Sequence, residues 1–176
     1  MKGKERYDAD TTRKIIWDLL ESVADPEVPV LSVQDLGIIR EVIVSPGDGL
    51  PPTVQVLITP TYSGCPAMDA ISLDIKLKLA EHGYTNTRVT TILSPAWTTD
   101  WMSESGKNKL KAYGIAPPQA KQQVCDTHLF AESEAIPCPR CNSYHTRLIS
   151  RFGSTACKAM YQCEDCKEPF DYFKCH

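Results

Sequence analysis

No stretch of the 176-residue sequence is apolar over a membrane's thickness, and Met1-Lys2-Gly3-Lys4-Glu5-Arg6 lacks the apolar core of a secretion signal. The expectation is a cytoplasmic protein whose eight cysteines are thiols or metal ligands more often than disulfides. A dense basic run is also missing. The 19 Lys and Arg against 22 Asp and Glu leave a formal net charge of -3, which argues against a nucleic-acid surface. There is no Gly-rich nucleotide loop, no Glu-x-x-His pair and no plant-type ferredoxin cysteine spacing. These absences remove the usual means of activating oxygen or delivering electrons and point away from an enzyme. Internal repeats and low-complexity segments are absent too, and the length suits one ordinary domain plus a small one.

What the chain does have is Cys138-Pro139-Arg140-Cys141 and, twenty-one residues later, Cys163-Glu164-Asp165-Cys166. Two Cys-x2-Cys pairs at such a separation let two tight turns converge on one ion, the pattern of a four-cysteine zinc ribbon. The spacer is one residue longer than usual, a change that the intervening hairpin tolerates. Tyr144, Thr146, Leu148 and Ser150 alternate with His145, Arg147, Ile149 and Arg151 as in a half-exposed strand; Gly153-Ser154-Thr155 turns the chain, Cys157–Cys163 returns, and Phe170–Lys174 makes a third strand. So small a module buries little apolar area, and bound metal must supply much of its folding free energy. Zinc is the default occupant, although four thiolates also suit iron or an iron–sulfur cluster.

Upstream, Ile15, Ile16, Leu19, Leu20 and Val23 lie on one helical stripe, with Asp10 or Thr11 as N-cap. The helix must end at Asp25-Pro26-Glu27-Val28-Pro29, because a residue before proline is pushed out of the helical region. A short polar turn then leads to Leu36-Gly37-Ile38-Ile39 and a strand through Val42–Val44; Thr53–Thr59 is a second strand, with Val54, Val56 and Ile58 on one face. The segment Thr59–Pro66 opens a helix over Ala67–His82, with Met68, Ile71, Ile75 and Leu79 at helical spacing. Cys65 stands at or near its N-cap, where the helix dipole favours a thiolate; the plainer reading is a buried small hydrophobe. Thr87–Leu93 is a third strand, and Thr98 or Thr99 caps a last helix over Asp100–Tyr113. The expected fold class is α/β (α+β): a helix-strand-strand-helix-strand-helix layer over residues 12–116, a linker over 117–136, and an all-β zinc ribbon over 137–176.

Asp25-Pro26-Glu27, Asp35-Leu36-Gly37-Ile38 and Gly64-Cys65-Pro66, in that order, resemble the signature of the iron–sulfur assembly accessory family, small α/β proteins that help mature iron–sulfur enzymes. Tyr62-Ser63 departs from it, since many relatives carry a proline beside the glycine. With Pro95–Met102 and Phe152–Cys175, the chain resembles one subgroup closely, accessory subunits of bacterial phenylacetyl-CoA epoxidase (ring monooxygenase) systems. The resemblance implies a non-catalytic accessory protein of aerobic phenylacetate catabolism. It would mature or deliver an iron–sulfur cluster or a di-iron site, with Asp25, Glu27 and Cys65 as the working patch and Cys65 as transient ligand. The implied partners are oxygenase or reductase subunits and iron–sulfur assembly proteins; a homodimer stays open. Asp25 and Glu27 also read as a plain helix-ending turn. The alternative function is a structural docking subunit. An enzyme with Cys65 as nucleophile is disfavoured because no histidine is placed as its base; His82 ends the same helix.

Two further cysteines need a place. A pairing register centred on Cys166 sets Cys157 opposite Cys175, with Cβ atoms about 5 Å apart. Cys125 and His128 upstream could join them, so that Cys125, His128, Cys157 and Cys175 form a second metal site. The alternative is a pair of buried thiols beside an unrelated linker cysteine.

Overall fold

The structure is a computed structural model that describes residues 8–47, 51–119 and 136–174. It divides into two compact units, Met1–Ala96 and Trp97–His176. Among the described residues no helix is long and apolar enough to cross a membrane.

The first unit runs α1 (Ala9–Leu20), β1 (Ile39–Ser45), β2 (Thr53–Ile58), α2 (Ala67–Glu81) and β3 (Thr87–Thr91). α1 begins earlier than expected, because Asp8 is its N-cap and its carboxylate accepts the Asp10 N–H and the Thr11 hydroxyl. Ile16, Leu20 and Val23 are buried, while Ile15 turns outward. β2 is the central strand, antiparallel to β1 and parallel to β3. The parallel pair demands a crossover, and α2 provides it. In this register Val42 and Val44 share a face with Val56 and Val54, and that face, with Ile58, is buried. α1 packs on β1, α2 on β3, and the two helices on each other. α2 buries Ala67, Ile71, Ile75 and Leu79; Met68, expected on this stripe, is half-buried.

The segment between α1 and β1 is not the short polar turn expected. Val28, Leu31, Val33, Leu36 and Ile38 are all buried in it. Its backbone groups are paired at close range: Asp25 N–H to Leu31 O at 2.9 Å, Val33 N–H to Val23 O at 2.9 Å, Leu36 N–H to Ser32 O at 3.1 Å. Apolar side chains without a 2- or 3.6-residue period can be buried only if side-chain caps take up the backbone polarity. Asp35 and Ser32 do so reciprocally, each side chain accepting the other's N–H, at 3.1 and 3.0 Å.

The second unit holds a 3-10 turn at Thr99–Trp101, α3 (Glu104–Tyr113), β4 (Ile115–Ala116), β5 (Thr146–Ser150), β6 (Lys158–Cys163) and β7 (Pro169–Phe173). Its sheet order is β4-β7-β6-β5, with only β4 and β7 parallel. Two expectations are corrected here. The single helix over Asp100–Tyr113 is broken at Met102, whose backbone is extended, because Ser103 starts a new helix by accepting the Gly106 N–H at 2.8 Å. The boundary expected at 116 falls inside this unit: Ile115 and Ala116 pair with Asp171 and Tyr172 of β7, and Trp97 meets Phe173 edge-on at 6.3 Å. Gly114, at φ 93, lets the chain leave α3 directly into β4. Ala116, Ile136, Cys138, Ala159, Tyr161, Cys163, Phe170 and Tyr172 form one cluster of its core, and Trp97, Leu110 and Phe173 are buried as well.

The N-cap hydroxyl of Ser103 gives a direct test of the broken helix. Ser103→Ala should lower the stability of the second unit by about 1 kcal/mol and Ser103→Asp should retain it, as read by chemical denaturation.

Candidate functional site

The four ribbon cysteines converge. Their sulfurs all lie within 4.8 Å of one another. Two separations that each join one sulfur from either knuckle are Cys138 to Cys166 at 3.7 Å and Cys141 to Cys163 at 3.5 Å. Four sulfurs about 2.3 Å from one tetrahedral ion would stand about 3.8 Å apart, so the donor set fits zinc in both chemistry and spacing. Cys138 and Cys163 are buried, whereas Cys141 and Cys166 are exposed.

Each knuckle is built the same way. The Cys138 N–H donates to Ser143 O at 2.9 Å and the Cys163 N–H to Glu168 O at 3.0 Å. The residue after each second cysteine is left-handed, Asn142 at φ 59 and Lys167 at φ 66. Asparagine adopts that conformation readily and lysine does not, so Lys167 is held there by the closure of the turn.

Electrostatics explain why a cation belongs in this cluster. N–H groups of Cys166 and Asp165, acting against burial, pull the Cys163 thiol down to about 7. The Glu168 N–H pulls Cys166 down as well, but burial and the sulfurs of Cys163, Cys141 and Cys138 outweigh it and leave that thiol pushed up to about 12. The sulfurs cannot all ionise side by side without a positive charge among them.

In the first unit, Tyr62-Ser63-Gly64-Cys65 is a turn closed by the Cys65 N–H on Tyr62 O at 3.3 Å, with Gly64 at φ 81 in its third position, where only a left-handed residue fits. Pro66 takes the α2 N-cap, so Cys65 stands one residue before it. The thiol is half-buried, and its proton is held more tightly than in an ordinary cysteine, contrary to the expectation of a favoured thiolate. Burial is the largest cause. The Ala67 N–H and the Tyr62 side chain, both hydrogen-bonded to the sulfur, act the other way, and the charges of Glu27 and Asp25 add to the rise. Asp25, Glu27 and Cys65 are therefore brought within electrostatic reach of one another. Asp25 also caps its own turn, one carboxylate oxygen accepting the N–H groups of Glu27 at 2.6 Å and Val28 at 2.8 Å. Both readings of Asp25, turn former and neighbour of the sulfur, thus have an observation behind them. Tyr62 was missed as a partner of Cys65, although Tyr-x-Gly-Cys before a helix is a legible turn that sets its first and fourth residues side by side.

The second metal site loses its premise. β6 and β7 pair with Tyr161 opposite Phe170 and Gln162 opposite Pro169, one residue off the expected register, and the Lys174 N–H donates to Cys157 O at 3.0 Å. Lys167 in its left-handed conformation makes the turn an even Cys163–Glu168, and Lys174 faces Cys157. Cys157 is a buried thiol 3.0 Å from the Thr155 hydroxyl. Cys125, His128 and Cys175 lie outside the described residues.

Comparison with known proteins agrees with this geometry. Residues 122–174 match the family model described as the PaaD zinc beta ribbon domain, and residues 13–90 match that of the iron–sulfur cluster assembly proteins. The chain is 49% identical over 160 residues to a 1,2-phenylacetyl-CoA epoxidase subunit of Escherichia coli, covering 91% of each. It is 37% identical over 100 residues to an Fe-S protein maturation auxiliary factor of Porphyromonas gingivalis, covering 56% of this chain and 90% of that one. The crystal structure of a Domain of Unknown Function DUF59 from Bacillus anthracis superposes with a TM-score of 0.52 at 24% identity, covering 58% of this chain and 93% of that one, a likeness of fold.

Two outcomes are expected. Serine in place of Cys138, Cys141, Cys163 or Cys166 should release the metal and unfold the second unit, while the first unit stays folded by nuclear magnetic resonance; full metal content in any of these variants would refute the ligand set. Alkylation of Cys65, followed on its own peptide by mass spectrometry, should be slow at pH 7 and climb only above the ordinary thiol range, because a raised pKa leaves little thiolate at neutral pH. Glu27→Gln removes a charge that opposes ionisation and should move that profile to lower pH.

Proposed function

Because the chain belongs to the PaaD family of 1,2-phenylacetyl-CoA epoxidase subunits, we propose that it is a non-catalytic accessory protein that matures or delivers the metal centre of a multicomponent phenylacetyl-CoA epoxidase. The cargo is an iron–sulfur cluster or the iron of a di-iron site. The partners that give and take it are iron–sulfur assembly proteins on one side and the oxygenase or reductase subunits on the other.

The observation that supports this reading is that the charges of Asp25 and Glu27 act on the Cys65 thiol, in the part of the chain that matches the iron–sulfur cluster assembly proteins. Negative charge next to a sulfur opposes the bare thiolate and attracts a metal cation. The thiol therefore stays protonated at rest and gives up its proton as metal arrives, which is what a ligand that binds and releases requires. The ribbon has a separate duty. Its four sulfurs would fill all four positions of a tetrahedral ion and leave none open, the arrangement of structural zinc.

Cys65→Ala tests the assignment. The variant should keep its folded stability to within about 1 kcal/mol, since one half-buried sulfur is lost, yet fail to activate an oxygenase system reconstituted from metal-free components. Activation at the wild-type level by Cys65→Ser would overturn it in favour of a docking subunit with no part in metal transfer.

A further inference from the structure

The ribbon's two knuckles are tied to each other by more than their sulfurs, and the ties differ between the two sides of the site. On the buried side, where Cys138 and Cys163 lie, the sheet itself holds the knuckles. Thr146 of β5 is registered with Cys163 of β6, and the Thr146 hydroxyl donates to Ile136 O at 2.7 Å, just before Cys138. On the exposed side, Cys141 and Cys166 lie outside the strands of the described residues. There the link is Asp165. One of its carboxylate oxygens accepts the Ser143 hydroxyl, and the other lies 3.3 Å from Nδ1 of His145. The Ser143 hydroxyl oxygen in turn accepts the His145 N–H at 3.0 Å, and His145 O accepts the Glu164 N–H at 2.7 Å. Ser143 is also the residue whose carbonyl closes the first knuckle on Cys138.

From this arrangement we infer that Asp165, engaged by Ser143 and His145, is a positioning residue that latches the two knuckles across the open side of the four-sulfur site and sets how fast that site gives up its metal. Loss of a closed tetrahedral ion proceeds by substitution. An incoming donor replaces one sulfur at a time, and each displaced thiolate takes a proton from solvent. The donor must enter beside Cys141 and Cys166, because the other two sulfurs are covered. Entry there requires the knuckles to part, and parting breaks the Ser143–Asp165 and His145–Asp165 contacts first. The nearby ion pairs Arg140–Glu168 at 3.3 Å and Arg147–Glu164 at 3.9 Å also cross the gap, but both are exposed and without bidentate geometry, and contribute little. Groups that hold metal ligands in place from behind typically alter metal affinity by about 10–100-fold. A latch of this kind makes the ribbon's ion a resident one, in contrast with a sulfur that must exchange.

The test is release of zinc from the full-length, one-equivalent protein to an excess of a chromophoric chelator, which reads the rate directly and needs no oxygenase activity. Ser143→Ala and Asp165→Ala should each speed release by about 10-fold. The double variant should be no faster than Asp165→Ala, because both break the same link. Ser143→Thr, which keeps a hydroxyl, should stay near the wild-type rate, as should Glu164→Ala. Wild-type rates in both alanine variants would overturn the inference, and so would a double variant whose acceleration is the product of the two. Should Asp165→Ala fail to fold, Ser143→Ala, which removes a single hydroxyl, decides the matter alone by the same rate.

Discussion

The second unit is organised around four sulfurs held within 4.8 Å of one another, close enough to share one cation. One cluster of its core holds the stacked Tyr161 and Phe170 and the edge-on Tyr172. Two of that cluster's eight buried residues are candidate ligands, Cys138 and Cys163. Packing and metal binding are thus one interaction. β6 ends at Cys163, so the strand that builds the sheet also delivers a ligand. Without a cation, the neighbouring sulfurs oppose ionisation of Cys166 while N–H groups favour that of Cys163, and the cluster could be neither fully neutral nor fully charged at low cost. An ion in the middle removes the conflict, which is why so small a sheet can hold so polar a centre.

Where side chains repeat with a clear period, the fold was legible in advance. The alternation of Val54, Val56 and Ile58 and the four-residue step of Ile71, Ile75 and Leu79 located β2 and α2 to within a residue. The four-sulfur site followed from spacing alone, since a Cys-x2-Cys turn leaves its sulfurs little choice of direction. The turn between Pro29 and Leu36 was read as polar because it has no period; Leu31 and Val33 are buried in it, with the local backbone capped by Asp25 on one side and by the Ser32–Asp35 pair on the other. The break before α3 was hidden for a related reason. Thr98, Thr99 and Ser103 are all competent caps, and the sequence does not say that Thr98 and Ser103 both act, one for each short helix.

The register of β6 against β7 shows how a single backbone angle can undo a longer argument. Placing the hairpin's centre on Cys166 assumed an odd turn. Lys167 is left-handed, the turn is even, and every pair moves by one. A one-residue slip exchanges the two faces of a strand, and the residue set opposite Cys157 is Lys174. Nothing in a lysine codon marks that angle; it is imposed by closure of the knuckle on Glu168.

Cys65 presents the opposite chemistry to the ribbon in the same chain. The ribbon sulfurs sit among N–H donors and one another and converge on one place, whereas Cys65 is a single half-buried thiol within electrostatic reach of two carboxylates. Placement just before a helix does not suffice to ionise it. The Ala67 N–H and the Tyr62 hydrogen bond pull toward the thiolate, but burial outweighs them, and Glu27 and Asp25 push the same way as burial. A thiol so placed is a poor nucleophile at neutral pH, which weighs against covalent catalysis more strongly than the missing histidine base did. It does not weigh against metal binding, because a cation reverses the sign of the carboxylates' effect: the charges that hold the proton on the sulfur also draw in the ion that displaces it.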